Sequence, residues 1–420
     1  MKEKIEPGSK AVCMLVQNHY EIDIRVRRKA EALAVAGYAV DVLALASSYS
    51  KEKSYMLNGV TVHTLTLGKQ RGSLFRYLYE YLAFFVWCFF KLNRLMKTRR
   101  YSIVDVNNLP DFLVFAGLFA KFRGARIVFD MHEITPEFYM SKYKVKEGHL
   151  LIRILKWLEK ASFRFADHVI TINEPIKKLL ERRGLAQGKT TIIMNAVDEA
   201  LFASAQGGKQ LPEPPRAENA FIMMYHGTLT HIYGLDISIE AFHLAQAEMP
   251  GAELWILGGG GEKARLLELT QKLGMAGKVK FIGNVLPQEV PQWLKRADAG
   301  VLATRSDVFL DFSFSNKLSE YIVLDKPVIS SRLKTIHHYF SEEALAFFEP
   351  NQPADLAKQM IRLYLDPELR KRFVQRAKQE YSPIRWEIMK ERYLALTEKL
   401  AGRAPGPAAA ATAPSVAVVG

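Results

Sequence analysis

The sequence predicts an α/β protein built from two doubly wound parallel-sheet domains, and three observations carry that expectation. Short runs rich in Val and Ile alternate with amphipathic helical patterns along most of the chain. The alternation breaks once, at a stretch rich in Pro and Gly. A chain of 420 residues also exceeds what one hydrophobic core usually organises. Strands that read as nearly continuous apolar runs are buried on both faces and joined by right-handed crossovers.

In the first half the expected strands are AVCMLVQ, YAVDVLALA, IVDVN, ARIVFDMH, HVITIN and TTIIMN, with a helix over RVRRKAEALAVAG. The break is ASAQGGKQLPEPPRAEN. Residues 1–202 are therefore assigned to an N-terminal Rossmann-like domain and 203–219 to a linker. The pattern resumes with FIMMYHG, AELWILGG, KVKFIG and AGVLAT, separated by helices over LDISIEAFHLAQA, EKARLLELTQKLG and VPQWLKRA, giving a second Rossmann-like domain over 220–383. The tail, 403–420, has few large side chains and is expected to be disordered. Such sheets bind ligands at the carboxyl ends of their strands, so two of them facing each other make a cleft for two substrates.

With 49% hydrophobic and 24% charged residues the composition is globular. The formal net charge of +14 points to an anionic partner without choosing between nucleic acid, a membrane surface and a phosphorylated substrate. Cys13 and Cys88 have neither a zinc spacing nor a disulfide framework and are expected as buried thiols in a reducing cytoplasm. MKEKIEPGSKAVCMLV holds no apolar segment ahead of the first strand long enough for a secretory signal, so none is expected, and no uncharged apolar run approaches the ~20 residues of a membrane span. The expected location is cytoplasmic.

Four motifs bear on chemistry. In YHGTLTHIYGLDISIEAF a strand ends at His226-Gly227 and Gly234 opens a helix. Backbone amides at such a turn can face a phosphate, although a plain βα turn needs the glycine equally. LWILGGGGEKARL resembles a dinucleotide fingerprint around Gly258 and Gly260, but Lys263 stands at the third glycine position and the loop does not open the first fold, which argues against nicotinamide or flavin. In SFSNKLSEYIVLDKPVI, Ser313, Ser315 and Asn316 are N-cap candidates for a helix to about Leu324, with Lys317 and Glu320 on one side of its first turns. A cation and free amides suit a pyrophosphate, and a glutamate can accept two ribose hydroxyls; a surface i,i+3 ion pair fits the spacing as well. VFDMHEITPE places His132 and Glu133 beyond a strand's carboxyl end, where the histidine is either a hydrogen-bond donor to a substrate or a strand cap. No Asp-x-Asp pair and no metal-ligand spacing occur.

The stretch RYLYEYLAFFVWCFFKLNRLMKTRRY is different in kind. From Arg71 to Arg100 seven basic residues stand against one acidic, Glu80, among many aromatics. It reads either as a helix at the interface of an anionic bilayer or as a core helix with a basic exposed face; its apolar density is higher than a nucleic-acid stacking platform needs.

Together these segments resemble the retaining glycosyltransferases of family four. YHGTLTHIYGLDISIEAF, LWILGGGGE, VKFIGNVLPQEVPQWLKRADAGVLAT and NKLSEYIVLDKPVIS follow the family's order and spacing, as do DIRVRRKAEALAVAGYAVDVL, DMHEITPE and ADHVITINEPIKKLL in the first half. The resemblance implies the two-domain GT-B architecture, with the C-terminal YSPIRWEIMKERYLAL, about 384–400, as a helix crossing back to the first domain. It implies transfer of a sugar from a nucleotide diphosphate sugar, with retention, usually without metal, and with no cofactor besides the donor.

Carried over residue by residue, Glu320 matches the second glutamate of the family's Glu-x7-Glu motif, which holds the ribose. Phe312 stands at the first glutamate's position, so its sugar contact falls to Asp311 or Ser313. Thr228 and Tyr233 lie in the loop where the family commonly has two cations, making Lys317 the nearest replacement and Arg305 a weaker one. Gly227, Thr228, Gly258, Ser315, Asn316 and Leu318 are further donor-side residues, and Ile282 begins the segment whose backbone reads the base. His132 matches the histidine that contacts the donor sugar. Arg25 and Glu133 are the acceptor-side candidates. The implied partners are a nucleotide sugar and a glycan or lipid-linked acceptor, with no nucleic acid; the basic aromatic helix and the positive charge add an anionic membrane surface as a candidate partner. The alternatives are a nucleotide-sugar epimerase of the same fold and a catalytically silent nucleotide-sugar-binding protein.

Overall fold

The structure, a computed structural model, describes residues 10–47, 52–67, 74–197, 199, 202 and 220–402, so the expected linker and tail lie outside it. The chain divides into two compact units, one comprising Met1–Met194 with Glu387–Gly420 and the other Asn195–Trp386.

The first unit holds an eight-stranded sheet in the order β3-β4-β2-β1-β5-β6-β7-β8. Its strands are β1 (Ala11–His19), β2 (Ala39–Leu45), β3 (Ser54–Leu57), β4 (Val60–Leu65), β5 (Ile103–Asn107), β6 (Arg126–Met131), β7 (His168–Thr171) and β8 (Thr190–Ile192). All pairings are parallel except β3 with β4. That hairpin is absent from the strands read above. Its turn is Asn58-Gly59, with φ of 50° and 78°, the left-handed pair a two-residue hairpin requires.

Helices cover the sheet: α1 (Ile24–Val35), α2 (Leu74–Leu95), α3 (Leu118–Phe122), α4 (Thr135–Tyr143), α5 (Leu150–Phe165) and α6 (Glu174–Arg182). Asp23 caps α1 by accepting from the Val26 amide, and Asn173 caps α6 by accepting from Ile176. No helix among the described residues is long and apolar enough to cross a membrane. Cys13 and Cys88 are free and fully buried, and burial pushes both thiols well above their ordinary range.

A buried charge network ties this unit together. Lys29 of α1, 1% exposed, donates to Asp105 (3.2 Å), to Asn107 (3.0 Å) and to Asp130. Arg25, one turn earlier, pairs with the other oxygen of Asp130 at 2.6 Å. Burial opposes ionisation of Asp130, yet Arg25 and Lys29 hold its carboxyl well below the usual range.

The C-terminal helix Trp386–Leu400 joins the same network. Its buried Tyr393 donates to Asp105 at 2.7 Å, and the Met194 amide bonds the Met389 sulfur at 3.2 Å. Those ties return the chain end to the first unit and place the division after Met194, earlier than the Pro- and Gly-rich stretch.

The second unit is a six-stranded, all-parallel sheet in the order β11-β10-β9-β12-β13-β14. The strands are β9 (Phe221–His226), β10 (Ala252–Leu257), β11 (Val279–Gly283), β12 (Ala299–Leu302), β13 (Val328–Ser331) and β14 (Ala346–Phe348). Its helices are α7 (Leu235–Ala245), α8 (Lys263–Lys272), α9 (Val290–Lys295), α10 (Asn316–Val323), α11 (Lys334–Tyr339), α12 (Pro353–Leu365) and α13 (Pro367–Tyr381).

Helix α10 is seated by one residue. The buried Tyr321 donates to the Met224 carbonyl at 2.6 Å, and its ring lies where a Cβ on Gly300 would come within 2.5 Å, so β12 carries a glycine there.

Removing one partner of a buried ion network leaves uncompensated charge and typically costs about 3–5 kcal/mol. Lys29→Met is therefore expected to lose stability of that order in urea unfolding, with the midpoint of the exposed-site control Lys272→Met unchanged; equal midpoints would show that the network contributes nothing.

Candidate functional site

In the second unit the carboxyl ends of β9, β10 and β11 frame a cavity of about 220 Å3 lined by His226, Gly227, Thr228, Gly258, Gly259 and Asn284, with apolar walls from Leu257, Val285 and Val290. Two glycine loops form its floor. Gly227 and Gly258 have φ of 123° and 133°, and a Cβ on Gly258 would sit 2.0 Å from the Gly227 carbonyl oxygen. The amides of Gly227, Leu229 and Gly258 donate to the carbonyls of Leu257, Gly259 and Gly283, locking the loops together. The Thr228 amide donates to no carbonyl among the described residues.

Lys317 and Glu320 diverge instead of pairing with each other. The Glu320 carboxylate takes a hydrogen bond from Nε2 of the buried His226, whose ring packs edge-on against Tyr321 at 4.9 Å. Nδ1 of His226 is buried without a partner. The Lys317 side chain lies over Gly227, so close that a Cβ there would come within 2.3 Å of its Cε. Its ammonium faces the rings of Tyr233 at 3.9 Å and Tyr225 at 5.7 Å, and no carboxylate lies within ion-pairing distance among the described residues. Burial pushes it down to about 8, with Glu320 pulling weakly the other way. A cation held over a glycine loop beside a free amide is suited to a diphosphate.

Other expected donor-side residues are placed differently. Arg305 is fully engaged, donating to Asp236 (2.7 Å), the His231 carbonyl (3.1 Å) and Asn351 (3.1 Å), so it braces the loop before α7 and is not the replacement cation. Leu318 is a correction: its side chain is fully buried and its amide donates to Ser315, because it sits on the core face of α10. The Ser313 hydroxyl donates to Leu310, and Asp311 accepts from Ser306, so both serve their own loop. Ser315 stands at the N-cap without a side-chain bond, and Oδ1 of Asn316 is buried and unpartnered. Ile282 is half-buried in β11, and the following Asn284 and Val285 reach the cavity in its stead.

In the first unit a cavity of about 230 Å3 is lined by polar groups including Asn18, Asp23, Tyr77, Glu80, His132 and Glu133. Nε2 of His132 is 2.9 Å from Oδ1 of Asn107. The Asn107 amide nitrogen donates to Leu15 and Asp105, and its oxygen accepts from Lys29, so the amide orientation is set. Nε2 of His132 must then carry the proton, which leaves Nδ1 as an acceptor. Burial and the nearby Arg25 lower the affinity of His132 for a second proton, against the pull of Asp130. The histidine is thus a neutral acceptor at Nδ1, which differs from the donor that was one of its two expected roles. Arg25 is a further correction: it does not line the cavity but is turned inward onto Asp130.

Sequence reading missed His226 as a site residue; a histidine ending a strand directly before a glycine was the available signal. Asn284 falls inside the segment Ile282–Leu286 that the resemblance assigns to the base, although no residue type or spacing singled it out within that segment.

Comparison with known proteins fits this arrangement. Residues 22–201 match the sequence model of Glycosyltransferase Family 4, and residues 209–380 that of Glycosyl transferases group 1. The chain is 28% identical over 193 residues to an uncharacterized glycosyltransferase of Methanocaldococcus jannaschii, covering 45% of each. It is 27% identical over 153 residues to glycogen synthase of Mycobacterium tuberculosis, covering 36% of this chain and 34% of the other. The matches thus span less than half the length of these relatives.

Among solved structures, sucrose-phosphate synthase from Thermosynechococcus elongatus superposes with a TM-score of 0.72 at 19% identity, covering 93% of this chain and 99% of that one. Anabaena HepE in complex with UDP gives 0.66 at 14%, covering 93% and 100%. At such identities the likeness shows the fold alone, and that fold is GT-B.

The depressed affinity of Lys317 for its proton has a thermodynamic sign. Between about pH 8 and the ordinary lysine value the unfolded chain holds more protons than the folded one, so this group makes stability rise with pH, by up to about 1.4 kcal/mol per pH unit. Lys317→Met is expected to remove that rise, and to be at least as stable as the wild type at pH 7. Identical pH profiles of urea midpoints would contradict the placement of the ammonium.

Proposed function

The chain belongs to the group 1 glycosyltransferases of family 4, and from that premise we propose that it moves a sugar from a nucleotide diphosphate sugar to a glycan or lipid-linked acceptor, with retention, in surface polysaccharide or glycolipid assembly on the cytoplasmic side of a membrane. The observation that carries the proposal is the Lys317 ammonium over the Gly227 loop, without a carboxylate partner among the described residues, one helical turn from Glu320.

In this reading the second unit holds the donor. Lys317 and the Thr228 amide take the diphosphate, Glu320 takes the ribose, and Asn284 with Val285 meets the base. The hydrogen bond from His226, which itself lines the cavity, holds the Glu320 carboxylate in place for that role. The polar cavity of the first unit, with His132 and Glu133, receives sugar hydroxyls. The bond from the anomeric carbon to the phosphate oxygen breaks, the acceptor oxygen bonds the same face, and its proton passes to the leaving phosphate oxygen. Lys317 stabilises the charge that develops on that leaving group, so no metal is required. The HepE complex with UDP makes uridine donors the first to test.

Loss of a charge-assisted bond to the ribose is expected to weaken nucleoside diphosphate binding to Glu320→Gln by about 10- to 100-fold, read by calorimetry, with the melting temperature unchanged. Transfer from an α-linked donor is expected to continue in EDTA at about the same rate and to give an α-linked product by NMR. A β-linked product would overturn retention, loss of activity in EDTA the metal-free reading, and undiminished binding by Glu320→Gln the assignment of the ribose site.

A further inference from the structure

Helix α2 has two unlike faces. One side supplies Tyr77, Glu80 and Tyr81 to the polar cavity of the first unit. Along the other, Leu82, Val86 and Phe90 are exposed by 47%, 49% and 67% at every fourth position, where a helix normally shows polar side chains.

This apolar stripe is not isolated. Phe85 and Phe89 of α2 pack on Phe112 (5.8 Å) and on Phe119 of α3 (5.3 Å), while Phe115 packs on Phe165 of α5 (5.1 Å). The 3-10 turn Asp111–Gly117 therefore lies between α2 and α5, and the three helices are neighbours. The two others are equally bare at their surfaces: Phe122 of α3 is 78% exposed, and Ile154 and Trp157 of α5 are also exposed.

The charge on these helices has one sign. The only carboxylates within α2, α3 and α5 are Glu80 and Glu159, and both are buried. The exposed charges are cations, among them Arg94 at the end of α2, Arg123 just after α3, and Arg153 and Arg164 on α5. A protein partner or a second copy would need a matching apolar face. A bilayer with anionic headgroups meets both features at once, taking the aromatic and aliphatic tips at the acyl boundary and the cations at the phosphates.

We propose that α2, α3 and α5 form one docking face for an anionic phospholipid bilayer. Because α2 presents its reverse side to the polar cavity, docking would hold that cavity one helix diameter, ~10 Å, from the membrane surface. The face goes beyond the transfer reaction, and its test requires no donor.

The experiment is vesicle flotation of the full chain with phosphatidylcholine alone or with about one-third phosphatidylglycerol. Three proteins are compared: the wild type, Leu82→Gln/Val86→Gln/Phe90→Gln and Phe122→Gln/Trp157→Gln, with urea unfolding confirming that each variant is folded. The wild type is expected on anionic vesicles only, released by high salt, and each variant is expected to lose at least tenfold in partitioning. The second variant separates a three-helix face from α2 acting alone. Equal binding to neutral vesicles, or undiminished binding by either folded variant, overturns the proposal. So does a wild type that ignores vesicles and self-associates through these residues, which would assign the face to a second copy.

Discussion

A charge withdrawn from water has to be answered by another charge, and the two units answer it differently. Lys29 is buried and saturated, with Asp105, Asp130 and Asn107 around its ammonium. Lys317 is held over Gly227 against two tyrosine rings and has no carboxylate at ion-pairing distance among the described residues. The first arrangement is complete without a ligand and holds β5, β6, α1 and the C-terminal helix in register. The second leaves its ammonium without a charged partner among the described residues, which the proposed diphosphate would supply.

The backbone makes the second arrangement achievable. Both sheets are parallel and covered by helices, so polar groups collect where strands end. Gly227 leaves room for the Lys317 side chain, Gly258 for the neighbouring loop, and Gly300 for the ring of Tyr321 that seats α10. Any larger residue at these positions would displace the cation, the floor or the helix. The same geometry explains why Glu320 meets His226: the end of β9 lies directly beneath the first turns of α10.

Much of this was legible in the sequence. Val- and Ile-rich runs separated by amphipathic helices gave both sheets, since burial on two faces leaves a continuous apolar trace. The hairpin of β3 and β4 escaped because its strands are short and alternate with polar residues, although Asn58-Gly59 marks its turn. Lys317 and Glu320 were legible as candidates from the resemblance, while their spacing alone fitted a surface pair. The direction in which a cation points was not legible: Arg25 turns inward to Asp130 and Arg305 binds Asp236, and nothing in residue type distinguishes either from a ligand-facing arginine. The proton position on His132 likewise required the orientation of Asn107, which only three-dimensional contacts fix.

The central claim is that Lys317 is poised for a diphosphate, and its own titration tests that most directly. With lysines labelled for NMR and Lys317 assigned by comparison with Lys317→Met, the account predicts a midpoint near pH 8 in the free protein, as its burial dictates. Saturating uridine diphosphate should move that midpoint upward by at least about one unit, because a nearby anion favours the charged form. An ordinary lysine midpoint in the free protein, or a midpoint that the nucleotide leaves in place, would contradict it.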